Sequence, residues 1–151
     1  MHLQRLHHVA IIASDYARSK RFYTQVLGLR VVAEAYRQER DSWKLDLALP
    51  DGTQIELFSF PSPPPRPSRP EACGLRHLAF EVDDVAAHAD ALRAQGVEVE
   101  PLRVDEYTGR RFTFFADPDG LPIQLYEAAC CHVDADAARR ARRRPRRHPR
   151  A

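Results

Sequence analysis

Cysteine is scarce in this chain of 151 residues: there are three, Cys73, Cys130 and Cys131. So few exclude a disulfide framework, and their spacing does not match a zinc site. No apolar run approaches the length that crosses a bilayer, so no membrane insertion is expected. The opening MHLQRLHHVA lacks the basic region, continuous apolar stretch and small-residue cleavage site of a secretory signal. A reduced, cytoplasmic location is therefore the expectation. A basic face is missing too. The formal net charge is +2, but eight arginines lie between Arg139 and Arg150, where there is no acid. The first 138 residues carry the remaining 15 Lys and Arg against 21 Asp and Glu, a net of −6. An acidic body argues against specific nucleic-acid binding. The segment 130–151 ends in RRARRRPRRHPR, which repels itself and offers no apolar face, so a disordered tail is expected there.

What is present is an internal repeat. LHHVAIIASDYARSKRFYTQVLGL from residue 6 is echoed by LRHLAFEVDDVAAHADALRAQGV from residue 75, with His8 opposite His77 and Asp15 opposite Asp84. PDGTQIELF at 50–58 is answered by PDGLPIQLY at 118–126. Two similar supersecondary units, each covering the other's apolar face, follow from such a repeat. Each begins with a strand, 7–13 or 76–82, that ends at Asp. A helical stripe comes next, closed by Gly28 in one unit and Gly96 in the other, with Asp15 and Asp83 or Asp84 as caps. Strands are predicted at about 29–37, 42–49 and 53–60, then at 97–103, 111–116 and 122–127. The turns carry DG and DPDG, where Gly supplies a positive φ. The segment SPPPRPSRP blocks both helix and ladder bonding and reads as a linker over 61–73. The fold class is α+β. One domain over 1–129 is expected, made of two βαβββ units at about 5–60 and 74–128.

Strand parity selects four polar residues. With Ile55 and Leu57 on one face, Glu56 points to the other, and Gln124 does the same between Ile123 and Leu125. His8 and His77 occupy matched positions, while His7 is expected on the opposite face from His8. If the units close into one curved sheet, His8, Glu56, His77 and Gln124 converge. Two imidazoles and a carboxylate suit Zn, Ni, Co, Mn or Fe. A hydrogen-bonded structural role is the alternative for each histidine. In YRQERDSWKLDLAL, Arg37 or Lys44 could bind a substrate carboxylate and Trp43 could supply an apolar wall. An exposed charged hairpin is the competing reading. Tyr107, Arg110 and Arg111 offer an analogous group in the second unit, with the same ambiguity.

The sequence closely resembles the vicinal oxygen chelate (VOC) superfamily, which includes glyoxalase I, fosfomycin resistance proteins and extradiol dioxygenases. The resemblance is carried by HHVAIIASDYARSKRFYTQVLGL, IELF, GLRHLAFEVDD and FFADPDGLPIQLYE, and looks closest to the glyoxalase I-like branch. It implies a U-shaped mixed sheet of two βαβββ units around a divalent metal, in a homodimer. It maps the metal ligands to His8, Glu56, His77 and Gln124. It implies a metal-dependent lyase or isomerase on a small substrate that chelates through vicinal oxygens, a glutathione hemithioacetal among the candidates. The departure is Gln124, where bacterial glyoxalase I usually carries Glu. An amide oxygen can coordinate but cannot take a proton, which leaves Glu56 as the catalytic carboxylate. A small-molecule binding protein of the same fold and a ring-cleaving dioxygenase are the alternatives.

Overall fold

The computed structural model describes residues 1–129; the arginine-rich segment 130–151 lies outside the described residues. The first unit runs β1 (His8–Ala13), α1 (Tyr16–Arg21), β2 (Arg30–Arg37), β3 (Ser42–Ala48) and β4 (Gln54–Ser59). The second runs β5 (Leu78–Val82), α2 (Val85–Ala94), β6 (Arg103–Val104), β7 (Arg111–Ala116) and β8 (Pro122–Glu127). Each unit forms its own four-stranded mixed sheet, in the order β1-β4-β3-β2 and β5-β8-β7-β6. The parallel pair in each sheet joins its first and last strand. The repeat survives as register: Ala10 pairs with Glu56 as Ala79 pairs with Gln124.

Both helices start where the sequence expects. Asp15 accepts from the Arg18 amide at 3.0 Å, and Asp84 accepts from the amides of Ala86 and Ala87. The first helix then widens into a π-helical turn, Phe22–Val26, in which the Leu27 amide reaches the Phe22 carbonyl. That widening lets Phe22 and Tyr23 both face inward, and both are buried. Gly28 and Gly96 follow the helices with φ of 72° and 80°, the left-handed conformation that glycine adopts without Cβ strain.

Leu45, Leu47, Ile55 and Leu57 of the first sheet and Ile123 and Leu125 of the second are buried with Tyr23, Val85 and Leu92 in one core. A fully buried Leu or Ile contributes about 1.5–3 kcal/mol, so period-two alternation fixes which face of each sheet turns inward. The opposite faces stay open, and the polar residues selected by parity stand there. Polar contacts also join the units. Tyr23 donates to Asp117 at 2.9 Å, and the Asp119 carboxylate accepts from the Ser14 amide and hydroxyl and from Arg18.

Three expectations need correction. The strand expected at 97–103 is mostly irregular, reduced to a single Val99–Phe115 bridge and the two-residue β6. Pro101 has no amide to donate to a ladder, which interrupts the run. Among the described residues no ladder joins the two sheets into one. His7 lies before β1 rather than within it, so alternation does not send it away from His8; their Nδ1 atoms meet at 2.9 Å.

Candidate functional site

On the open face of the first sheet, β1, β4 and β3 bring His8, Glu56, Lys44 and Asp46 together. Asp46 is paired with Glu56 in the β3–β4 ladder, so both carboxylates rise from adjacent positions. His8 Nε2 stands 3.8 Å from Glu56 Oε2. Lys44 Nζ donates to Glu56 Oε1 at 3.1 Å and to Asp46 Oδ1. Burial pulls the Lys44 pKa down, but the hydrogen bonds and charges of Asp46 and Glu56 outweigh it and leave the ammonium above its ordinary value. With His7 engaging Nδ1 of His8, Nε2 is the ring nitrogen left on the side of the carboxylate.

The open face of the second sheet differs in chemistry. His77, immediately before β5, makes an edge-to-face contact with Phe114 at 5.2 Å. Phe114 is paired with Gln124, and Phe112 with Tyr126. Positions 112 and 114 are the repeat equivalents of Lys44 and Asp46, 68 residues on, so an aromatic pair replaces an ion pair. His77 and Gln124 line a cavity of about 860 Å³, roofed by the proline-rich linker. His77 Nδ1 is buried there without a hydrogen-bond partner. Arg37 Nε is the other such atom among the described residues; orphan groups of this kind are rare in folded proteins, and a bound water, an ion or local strain each accounts for one.

The four candidate ligands therefore fall into two pairs: His8 with Glu56, and His77 with Gln124. Among the described residues no three His, Cys, Asp or Glu side chains are arranged so that they could hold a metal ion as they stand. The donor chemistry still fits parts of a divalent-cation shell. His8 Nε2 is too far from Glu56 for a hydrogen bond, and His77 Nδ1 has no protein partner. Lys44 is the cation that occupies Glu56 here.

The other candidates are placed unequally. Arg37 lies on the same open face as Lys44, donating to Ser42 Oγ at 2.7 Å with its guanidinium 4.8 Å from the Phe58 ring centroid. Trp43 does not join them. Its parity is that of Leu45 and Leu47, and it stacks on Tyr16 at 5.2 Å on the helix side of the sheet. Tyr107 is almost wholly exposed, Arg110 sits over Tyr126, and Arg111 is committed to Glu127 at 2.6 Å.

Sequence reasoning missed Asp46, Phe112, Phe114 and the linker arginines. For the first three the signal was available: the parity argument that selected Glu56 and Gln124 extends to the neighbouring strand. For the linker there was none, since proline-rich segments announce rigidity but not where they lie.

The profile of the family described as "Glyoxalase/Bleomycin resistance protein/Dioxygenase superfamily" matches residues 5–125. The uncharacterized protein YaeR of Escherichia coli K12 is 62% identical over 125 residues, covering 83% of this chain and 97% of its own. A 2-epi-5-epi-valiolone epimerase from Actinomyces sp. is 33% identical over 141 residues, covering 80% of this chain and 77% of its own. The crystal structure of a glyoxalase family protein from Enterococcus faecalis superimposes with a TM-score of 0.79 at 50% identity, covering 84% of this chain and all of that one.

Proposed function

Because this chain belongs to the glyoxalase/bleomycin resistance protein/dioxygenase superfamily, we propose that it is a metal-dependent lyase or isomerase that moves a proton on a small substrate bearing vicinal oxygens. The observation that carries this reading is the His8–Glu56 pair on one open face, matched by the repeat-related His77 and Gln124 on the other. The two pairs lie on separate sheets. A complete shell is therefore assigned to a homodimer, with His8 and Glu56 of one copy facing His77 and Gln124 of another. These residues would hold Zn, Ni, Co, Mn or Fe. When bound, such an ion supplies Lewis acidity toward the substrate's oxygens.

Glu56 is the base. Its carboxylate takes the proton from a carbon beside a carbonyl, the electron pair of the broken C–H bond passes toward oxygen, and the proton returns to the neighbouring carbon. Gln124 has no part in that transfer, since an amide does not accept a proton under ordinary conditions. His7 holds the His8 ring through Nδ1. Lys44 donates to Glu56 and to Asp46 and so fixes the orientation of the Glu56 carboxylate. The Actinomyces relative is named as an epimerase; inversion of a carbon beside a carbonyl also follows from removing a proton and returning it.

The test joins elemental analysis of the purified protein with proton-exchange kinetics. The methylglyoxal–glutathione hemithioacetal is the first substrate, and a panel of 2-oxo compounds in heavy water follows. Metal at about one ion per chain with Glu56-dependent deuterium incorporation is expected. Stoichiometric metal with no exchange on any of them would favour the small-molecule binding protein, a reading to which the Lys44–Glu56 pair and the amide at 124 both lend weight.

A further inference from the structure

The cavity on the second sheet has a floor and a roof of opposite character. Phe112 and Phe114 form the floor beside His77 and Gln124, and Arg103 lies over both rings at 5.0 and 5.4 Å. The roof is the linker. Six prolines between 61 and 70 stiffen it, and two contacts fasten it. Arg66 donates to the carbonyls of Leu75 and Arg76 at 2.5 and 3.1 Å, and Ser68 donates to the carbonyl of Gly120 at 3.3 Å. Arg66 is thereby a clamp on the two residues that precede His77.

Arg69 and Arg76 line the same cavity. Among the described residues neither is within 4.0 Å of a carboxylate, and neither is Arg66. Three glutamates also line it: Glu100 is taken by Arg103 at 2.7 Å, while Glu71 and Glu98 make no ion pair among the described residues. The uncompensated charge is three guanidinium groups against two carboxylates. A strap held in place loses little freedom when a ligand arrives, and a guanidinium fork matches carboxylate and phosphate oxygens.

We propose that this cavity is an anion subsite, in which Arg69 and Arg76 receive a carboxylate or phosphate at one end of a small ligand whose carbon skeleton lies over Phe112 and Phe114. The cavity's volume of about 860 Å³ suits a molecule of that class. The assignment of this ligand as the substrate rests on the proposed function. The subsite itself does not.

The test is calorimetric titration of the full chain with inorganic phosphate and, separately, with malonate, at constant ionic strength. Arg69→Gln, Arg76→Gln and their double variant are compared with wild type; the arginine-rich tail is the same in all of them and cancels. Arg30→Gln, an exposed substitution on β2, is the control. The double variant is expected to bind at least tenfold more weakly, with the control unchanged. The better of the two probes names the headgroup. Equal affinity in the double variant and wild type overturns the subsite, as does an equal loss in the control. Metal content of the same samples separates this result from the proposed function. Arginine-dependent phosphate binding by protein that takes up no metal leaves the subsite standing and sinks the lyase. Loaded protein with arginine-independent binding does the reverse.

Discussion

Tyr23 and Asp117 lie 94 positions apart in the chain and share a buried hydrogen bond of 2.9 Å between hydroxyl and carboxylate. The bond ties the π-helical turn of the first unit to the β7–β8 turn of the second. Asp117 also accepts from the amides of Asp119 and Leu121 at 2.9 and 2.8 Å. One carboxylate thus shapes its own turn and seats the other unit upon it.

Replacing Tyr23 with Phe keeps the ring in the core and removes only the hydroxyl. Asp117 retains two amide donors, so the expected cost is about 1–2 kcal/mol, read as a lower melting temperature with unchanged secondary structure. The Tyr23 hydroxyl is held well above its ordinary pKa by burial first, and by the charge and hydrogen bond of Asp117 next. Its raised native pKa stabilises the fold below the ordinary tyrosine range, and that contribution is lost as pH rises toward the native value. Tyr23 should therefore ionise only with alkaline unfolding in an absorbance titration. Tyr23→Phe should lower the amplitude of that late step by one tyrosine, leaving Tyr16, whose hydroxyl pKa is also raised by burial and by Glu34.

Glu34 is one of the carboxylates through which acid acts on the fold. Hydrogen bonds from Lys20 and then Tyr16 hold its carboxylate below the ordinary glutamate range, tying α1 to β2. A lowered native pKa contributes stability that is present above the unfolded value and lost as pH falls through the native one. Wild type and Glu34→Gln should accordingly differ most near neutrality and converge in acid. The pair is exposed enough that the difference should stay within about 1 kcal/mol. A gap that widens as pH falls would refute the coupling.

Much of this molecule was legible because alternation in strands is a strong signal. Ile55 and Leu57, or Ile123 and Leu125, cannot both turn inward unless Glu56 and Gln124 turn outward. The caps were legible for another reason, an Asp at the head of each helical stripe. Alternation failed at 97–103, where apolar and acidic residues alternate but Pro101 removes a ladder donor. It failed at Trp43 because a large ring beside a hairpin was read for its chemistry rather than its parity with Leu45. His7 misled for a simpler reason: parity begins only where the strand does. Local pattern also carries no information on distance between sheets, so it could not say that the four polar residues stand as two separated pairs.

Lys44 offers a direct probe of the first pair. Its ammonium sits between Glu56 and Asp46, the charge that a divalent ion would otherwise provide. Lys44→Met leaves two adjacent carboxylates and His8 without an internal counter-cation. Metal affinity, measured by chelator competition, should rise about tenfold, since opposite charges at such separations interact by about 1–4 kcal/mol. Unchanged or weaker affinity would mean that Lys44 assists binding rather than competing with it.

The last prediction concerns which strand position holds the proton. Glu56 and Gln124 occupy equivalent places in the repeat, one a carboxylate and the other an amide. Glu56→Gln makes both positions amides. It should keep the fold and lose proton-exchange activity by about 10²–10⁴-fold, even when metal is supplied in excess to offset the lost ligand charge. Gln124→Glu creates a second carboxylate on the face that carries His77 and the aromatic floor. If the reacting carbon is presented to that face, turnover of the hemithioacetal should rise and the double variant Glu56→Gln/Gln124→Glu should regain activity. If it is presented only to Glu56, the double variant stays inactive while still binding metal. Full activity in metal-loaded Glu56→Gln would remove Glu56 from the role of base, because no other carboxylate among the four candidate ligands could then take its proton.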